Sequence, residues 1–301
     1  MPEPTTNPPP LVQSSPTLLD STLRDLPAFM NRGITILRDL GHVMEPQEKT
    51  LTGLRDRLAE GRFQLAVLGQ FKRGKSTLLN ALLGEDILPS SVIPLTAIPT
   101  FIRYGQERSI HVHFQDQRKE EIYPSENADW MSKTLLGYVS ENVNPKNEKG
   151  VSYVEITHPS SILKDVVLID TPGIGSTHRH NTEMTLNFLP QCDAALFLVS
   201  VDPPITEVEV EFLRQVQEKV ARVFFVLNKI DYLSESECET ALAFLRKILA
   251  ESVGIIPDGQ IFPVSAKQAL AAKEKGDAAL LAASGLPRIT GHLIDFLARE
   301  K

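Results

Sequence analysis

The chain has 301 residues, of which 42% are hydrophobic and 23% are charged, a balance typical of a globular protein with a substantial core. Its 31 basic and 38 acidic residues give a net charge of −7, which counts against a nucleic acid-coating protein because such a protein needs a basic surface. Two cysteines, Cys192 and Cys238, are too few for a metal cage or a disulfide framework.

The first 17 residues contain six of the 21 prolines, which predicts a disordered or polyproline-like tail over residues 1–17. The opening MPEPTTNPPP has neither a basic start nor an apolar stretch, so it does not fit the pattern of a signal peptide. The longest apolar run, near 194–199, is too short to span a bilayer. We therefore expect a cytoplasmic protein whose contact with membranes is at most peripheral.

Residues 18–60 are predicted to be helical, because apolar residues recur there at three- and four-residue steps. Pro27 and Gly33 are candidates to kink or break the first helix. A second apolar stripe contains Leu51, Leu54 and Leu58. Such stripes need a cover, and we expect them to pack on the domain that follows, over residues 61–301.

From residue 63 onward, short apolar segments alternate with helical ones. The predicted buried strands are Phe63–Leu68, Val166–Ile169, Ala194–Val199, Val223–Leu227 and Ile261–Val264. The predicted helices are Ser76–Leu83, Glu207–Glu218, Cys238–Leu249, Ala266–Lys275 and Leu286–Arg299. This alternation predicts an α/β fold, with a mostly parallel sheet covered by helices on both faces.

The stretch 98–157 has a different pattern. Three segments alternate like half-exposed strands: Ile98–Tyr104, Ser109–Phe114 and Val151–Thr157. Residues 125–149 are polar and predict a helix or a loop, with Trp130 as a local packing anchor. His111 and His113 share one strand face, and without further ligands they indicate a solvated face rather than a metal site.

Residues 69–76 read Gly-Gln-Phe-Lys-Arg-Gly-Lys-Ser and match G-x-x-x-x-G-K-[ST] in full. The segment follows a predicted strand and opens a predicted helix, as a phosphate-binding loop requires. Glycines let backbone N–H groups approach phosphate oxygens, and the helix N-terminus favours an anion. We expect Lys75 to reach the β- and γ-phosphates and Ser76 to ligate Mg²⁺. The predicted nucleotide contacts here are Gly69, Gln70, Phe71, Lys72, Arg73, Gly74, Lys75, Ser76 and Thr77.

Three further motifs follow, each at the end of a predicted strand. In the first, Asp170-Thr171-Pro172-Gly173, we expect Asp170 to hold Mg²⁺ through water and the Gly173 N–H to meet the γ-phosphate. The other two motifs supply the remaining predicted nucleotide contacts: Asn228, Lys229 and Asp231, then Ser265, Ala266 and Lys267.

The second and third motifs predict recognition of guanine. The Asp231 carboxylate can accept hydrogen bonds from the guanine N1–H and amino group, a pattern that adenine lacks. Buried polar sites of this kind discriminate by about 10⁴–10⁵. We expect Asn228 to support the loop and contact the base, Lys229 to cover it, and the Ala266 N–H to reach the guanine O6.

The four motifs occur in order, and ligands bind at the carboxyl ends of such strands. They resemble the guanine-nucleotide-binding pattern of the Ras-like GTPases, a resemblance that spans about residues 63–300. It implies a Ras-like P-loop GTPase fold with GTP as substrate, GDP as product and Mg²⁺ as cofactor.

Within that class, the sequence resembles the dynamin superfamily, and bacterial dynamin-like proteins most. The resemblance rests on Leu95-Thr96-Ala97 with Arg103-Tyr104-Gly105, on the phosphate-binding loop, and on AALFLVSVDPPIT at 194–206. It favours Thr96 over Thr100 as the switch I ligand of Mg²⁺. The long segment between Thr96 and Asp170 is similar to the insertion of that superfamily.

This resemblance implies a dynamin-type GTPase domain over 61–301 and a neck-like helical segment over 18–60. It further implies a GTP-dependent homodimer formed through the nucleotide face, and coupling of hydrolysis to membrane remodelling through regions that this chain does not contain. Two alternatives stay open. One is a switch or assembly GTPase that acts on a protein or ribosomal effector, and the other is a module that binds GTP without hydrolysing it.

Ras-like proteins position the attacking water with a glutamine, and Ile174 occupies that place here. The dynamin superfamily also lacks the glutamine. Guanylate-binding proteins have an arginine and dynamins a serine at the fourth position of the phosphate-binding loop, where this sequence has Lys72. We predict that Lys72, or alternatively Arg73, acts as a cation against developing phosphate charge, an effect worth about 10³–10⁵ in rate. The alternative is a solvated basic pair with long-range attraction for GTP only.

His178 and His180 follow in the next loop. We expect exposed side chains there, since histidines of a mobile loop are usually exposed. A contact with a partner domain or with the attacking water stays open as the alternative.

Overall fold

The computed structural model describes residues 18–89, 98–124, 129–140, 142–174, 179–202, 204–254 and 261–300. The described residues divide into two compact units, one ending at Arg62 and one starting at Phe63. The roles assigned to 18–60 and 61–301 stay predictions, and the predicted tail over 1–17 lies outside the described residues.

The first unit is a pair of helices, α1 (Leu18–Asp39) and α2 (Glu45–Glu60), which pack against each other. Pro27 and Gly33 both lie inside α1, so neither residue ends the helix. A Cβ atom on Gly33 would lie 2.9 Å from Leu51 Cδ2, so the glycine permits the close approach of α1 and α2. None of the helices described here combines the length and apolar composition needed to cross a bilayer.

The second unit is built on one mixed sheet. Its described strands are β1 (Phe63–Leu68), β2 (Thr100–Tyr104), β3 (Ser109–Phe114), β4 (Lys119–Ile122), β5 (Val151–His158), β6 (Val166–Asp170), β7 (Ala194–Ser200), β8 (Val223–Asn228) and β9 (Ile261–Val264). Their order across the sheet is β4-β3-β5-β2-β6-β1-β7-β8-β9. The five strands predicted as buried are β1 and β6–β9, and they form the continuous parallel half of the sheet.

The remaining strands extend this sheet beyond β6. β2 pairs antiparallel with β6 and parallel with β5, while β3 pairs antiparallel with β4 and β5. β4 was not predicted, because Lys-Glu-Glu-Ile lacks an apolar alternation and its residues are largely exposed at the sheet edge. The ring of His113 stacks on Tyr153 with centroids 4.2 Å apart, on the partly exposed face of this extension.

Helices cover the sheet on both faces. They are α3 (Lys75–Leu83), α4 (Trp130–Val139), α5 (Arg179–Phe188), α6 (Glu207–Gln217), α7 (Glu235–Ile248), α8 (Ala266–Lys275), α9 (Ala278–Ala283) and α10 (Leu286–Glu300). Side chains alternate along each strand, so Leu65 and Val67 belong to one buried cluster, which also contains residues of α3, α4, α8 and α10. Ala66 and Leu68 belong to a second buried cluster on the other face, which also contains residues of α6 and α7. The predicted α/β class with a mostly parallel sheet is thereby confirmed. Trp130 is partly buried against the first of these clusters.

Candidate nucleotide-binding site

The four sequence motifs meet at the carboxyl ends of β1, β6, β8 and β9. Two glycines give the loop between β1 and α3 its shape, because Gly69 has φ 143° and Gly74 has φ 91°. A Cβ atom on Gly69 would lie 2.5 Å from the Leu198 carbonyl oxygen, and one on Gly74 would collide with the Asn228 side chain. The loop therefore approaches its neighbours more closely than any side chain would allow.

The two lysines of this loop differ in exposure. Lys75 is buried, and its Nζ donates to the carbonyl oxygens of Gly69 (3.0 Å) and Gln70 (3.3 Å). Burial lowers the pKa of Lys75, and the carboxylates of Asp170 and Glu209 oppose that shift. Lys72 is exposed, has φ 66°, and holds its Nζ 5.5 Å from the centroid of the Phe71 ring. Lys72 is therefore an accessible cation on a backbone conformation that glycine usually adopts.

Two side chains with oxygen atoms suited to bind Mg²⁺, Ser76 and Asp170, lie together next to this loop. Ser76 Oγ donates to Asp170 Oδ2 at 3.1 Å, and the buried Oδ1 of Asp170 has no hydrogen-bond partner among the described residues. Burial raises the pKa of Asp170 to about 6, although Lys75 and Ser76 oppose this. An orphaned carboxylate oxygen beside a hydroxyl fits a divalent cation with hard oxygen ligands. These residues therefore suit the predicted role of holding Mg²⁺.

The loop after β6 packs directly on the phosphate-binding loop. The Ile174 N–H donates to the Gly69 carbonyl oxygen at 3.3 Å, and Thr171 Oγ1 donates to the Val67 carbonyl oxygen at 2.7 Å. A Cβ atom on Gly173 would lie 3.1 Å from the Phe71 nitrogen and 3.2 Å from Lys75 Nζ. These distances are tighter than ordinary van der Waals contact, so a side chain at position 173 would require its neighbours to shift by a few tenths of an ångström.

The two loops predicted to recognise the base, at 228–231 and 265–267, support each other. Asn228 Oδ1 accepts a hydrogen bond from the Ala266 N–H at 3.1 Å, and Ser265 Oγ donates to Asp231 Oδ1 at 2.7 Å. Lys229 has φ 68°, and burial is the main cause that lowers its pKa. Next to these groups lies a cavity of about 480 Å³. Its lining includes Gly74, Thr77, Asn228, Lys229, Asp231, Ala266 and Lys267.

Arg73 has a buried partner that sequence reasoning missed. Its guanidinium forms an ion pair with Glu209 of α6, with 2.6 Å between Nη2 and Oε2. A guanidinium already paired with a buried carboxylate offers little net charge to a phosphate, whereas Lys72 is exposed, and the catalytic role of either residue stays a prediction. Glu209 was visible in the sequence only as the fourth residue of a Thr-x-x-Glu capping box.

Three of the singled-out residues lie outside this description. Thr96, the predicted switch I ligand, is outside the described residues, as are His178 and the side chain of His180. The rival Thr100 opens β2, is buried, and lies opposite Asp170 in the antiparallel register. The choice between Thr96 and Thr100 therefore stays a prediction.

Comparison with known proteins shows the family to which this chain belongs. A model described as the Dynamin family matches residues 65–230. A protein of Caldicellulosiruptor, described only as an uncharacterised protein in the xynA 3′ region, is 42% identical over 260 residues. The bacterial dynamin-like protein of Nostoc punctiforme is 32% identical over 265 residues.

These matches cover most of this chain and less of its relatives. The aligned segments are 85% of this chain with the Caldicellulosiruptor protein and 81% with the Nostoc protein, but 62% and 38% of those proteins. One similar solved structure is described as an oligomerised bacterial dynamin pair that provides a mechanism for long-range sensing and tethering of membranes. It has a TM-score of 0.61 at 19% identity, and it covers 95% of this chain and 45% of that one. At this identity the likeness concerns the fold.

Proposed function

This chain belongs to the dynamin family, and from that premise we propose that it binds GTP with Mg²⁺ and hydrolyses it to GDP and phosphate. One observation carries the proposal. The phosphate-binding loop, the Asp170–Gly173 loop and the two base-recognition loops converge at the carboxyl ends of the strands they follow. The cavity of about 480 Å³ lies beside them.

The roles follow from the chemistry of the side chains. Lys75 leaves the carbonyl oxygens of Gly69 and Gln70 to meet the phosphates. The phosphates then give its buried ammonium group an anionic partner. Ser76 and Asp170 hold Mg²⁺, with Thr96 as the proposed third protein group. When bound, Mg²⁺ neutralises charge on the β- and γ-phosphate oxygens.

Guanine selectivity is assigned to Asp231. Ser265 orients one oxygen of this carboxylate, and Asn228 holds the Ala266 backbone by accepting a hydrogen bond from its N–H. An adenine in the same place would leave the carboxylate facing an acceptor, which is unfavourable because Asp231 is partly buried and the bound base would shield it further from water. Lys229 covers the base with its stem.

Hydrolysis is proposed to be completed by Lys72 when two nucleotide faces meet. Lys72 is exposed and lies in the loop expected to surround the phosphates, whereas Arg73 of the same loop stays paired with Glu209. Self-association is supported by the similar structure, which is described as an oligomerised pair. We also propose that hydrolysis is coupled to work on membranes. This part of the proposal rests on the description of the similar structure, which speaks of sensing and tethering of membranes, and this chain corresponds to only 45% of that longer protein.

The test is the release of phosphate from GTP in Mg²⁺, measured per molecule over a range of protein concentrations. We expect the rate to rise with concentration and to be the same in K⁺, Na⁺ and a larger inert cation, because Lys72 supplies the charge. Lys75→Ala is the control and should abolish both binding and release. A slow rate that is independent of concentration would instead favour a switch GTPase, and binding without any release would favour a module that only holds GTP.

A further inference from the structure

We infer that Glu209 is a positioning residue of the nucleotide site, which fixes the phosphate-binding loop by holding Arg73. This inference rests on the proposed function, because it concerns how the same site receives its nucleotide. Glu209 lies in the first turn of α6, outside all four sequence motifs. It acts on the nucleotide only through Arg73.

The contact between the two side chains is bidentate and buried. Arg73 Nε donates to Glu209 Oε1 at 2.8 Å, and Nη2 donates to Oε2 at 2.6 Å. Arg73 is 3% exposed and Glu209 is 0% exposed. Such a planar pair fixes both distance and orientation, which a single contact through a lysine would not do.

The guanidinium also donates to two groups outside Glu209. Nη1 donates to Ser200 Oγ at 2.7 Å, and Nη2 donates to the Pro204 carbonyl oxygen at 3.1 Å. Ser200 ends β7, and Pro204 lies just before α6. The side chain of Arg73 is therefore anchored to the sheet and to the segment that leads into α6.

Glu209 is itself held in place. Its Oε2 accepts hydrogen bonds from the N–H and the Oγ1 of Thr206, both at 2.9 Å. The Thr206 hydroxyl in turn accepts from the Glu209 N–H, which completes the capping box of α6. The carboxylate is thus fixed by its own helix before it meets Arg73.

The backbone of Arg73 transmits this position to the loop. Arg73 stands between Lys72 and Gly74, and its carbonyl oxygen accepts from Asn228 Nδ2 at 2.8 Å. Its N–H donates to the Gln70 carbonyl oxygen at 3.4 Å, across the bend of the loop. Loss of the ion pair would free the side-chain anchor and leave a buried charge without its partner, so the loop would shift.

The experiment compares Glu209→Gln with Glu209→Asp and with wild type, using the dissociation constant of a fluorescent GDP in Mg²⁺. We expect Glu209→Gln to weaken GDP binding by about 10- to 100-fold, since small displacements of positioning groups have effects of this size. Glu209→Asp keeps the charge and should retain more of the affinity. Glu155→Gln is the matched control, because Glu155 pairs with Arg103 at 2.9 Å on the sheet extension, and it should bind GDP like wild type.

A double variant separates positioning from folding. Replacement of a buried ion pair by apolar side chains is often neutral for stability. We therefore expect Arg73→Met/Glu209→Leu to recover the melting temperature lost in Glu209→Gln while GDP binding stays weak. Wild-type affinity in Glu209→Gln, or recovery of affinity together with melting temperature in the double variant, would overturn the inference. If wild type itself binds no guanine nucleotide, the proposed function fails, and this inference fails with it.

Discussion

The side-chain amide of Asn228 donates a hydrogen bond to the backbone carbonyl oxygen of Arg73, with 2.8 Å between the two atoms. The oxygen of the same amide accepts from the Ala266 N–H at 3.1 Å. One buried side chain therefore ties the phosphate-binding loop to both loops that are proposed to recognise the base. We therefore expect affinity for the phosphates and selectivity for guanine both to depend on the Asn228 side chain.

This contact predicts the effect of Asn228→Asp. The substitution keeps the oxygen that accepts from Ala266 but places a carboxylate oxygen against the Arg73 carbonyl, so two acceptors face each other. A buried acceptor left without a donor costs about 1–3 kcal/mol, equivalent to a loss of about 5- to 150-fold in GDP affinity. Titration with a fluorescent GDP measures this loss. Wild-type affinity in the variant would show that the link to Arg73 does not support binding.

Ser265→Ala should reduce the preference for guanine. Ser265 Oγ donates to Asp231 Oδ1 at 2.7 Å, so its removal lets the carboxylate rotate away from the base. We expect GDP affinity to fall by about tenfold, and ADP affinity to stay as weak as before. Thr240→Ala, which removes an exposed hydroxyl on α7, is the control. An unchanged ratio of GDP to ADP affinity would contradict the role given to Ser265.

Gly173→Ala should separate GTP from GDP. A Cβ atom there would lie 3.1 Å from the Phe71 nitrogen and 3.2 Å from Lys75 Nζ, so we expect the two loops to separate by a few tenths of an ångström. The Gly173 N–H is proposed to meet only the γ-phosphate. We expect the affinity for a non-hydrolysable GTP analogue to fall by about tenfold or more, with a much smaller effect on GDP. Equal losses for both nucleotides would count against that role.

Lys72→Met should lower turnover without a matching loss of binding. Lys72 is exposed at φ 66°, and methionine is also unbranched and only one atom shorter, so it removes the charge with little change of shape or backbone preference. We expect kcat to fall by about 10²-fold or more, and Lys72→Arg to restore much of it, because a cation against developing phosphate charge acts in the transition state. Saturating GTP and high protein concentration are needed for this comparison. An unchanged kcat in Lys72→Met ends the hypothesis.

Asp170 predicts a pH dependence of stability in the absence of metal. Burial raises the pKa of Asp170 from 3.8 to about 6, so between these values the folded protein holds a proton that the unfolded chain releases. The contribution of Asp170 to the free energy of unfolding therefore falls as pH rises from about 4 to about 6. In EDTA, the urea midpoint of wild type should therefore fall between about pH 4 and about pH 6 by more than the midpoint of Asp170→Asn does. Parallel pH profiles for the two proteins would contradict the shifted pKa.

The fold class and the position of the chemistry follow from local patterns in the sequence. Apolar segments of strand length alternating with amphipathic helices indicated the parallel half of the sheet, β6-β1-β7-β8-β9. The motif around Lys75 is also local, because a loop between a strand and a helix is set by its own glycines. β4 escaped prediction because its pairing with β3, rather than its composition, makes it a strand.

The contacts that hold these sites in place join distant parts of the chain, so packing alone establishes them. Arg73 and Glu209 are far apart in the sequence, and nothing in either local pattern indicates that they form a buried ion pair. The same is true of Asn228 and Arg73, and of Gly33 and Leu51. Hydrogen bonds and close contacts act over a few ångströms, so their partners are fixed only when the packed core has brought distant segments together.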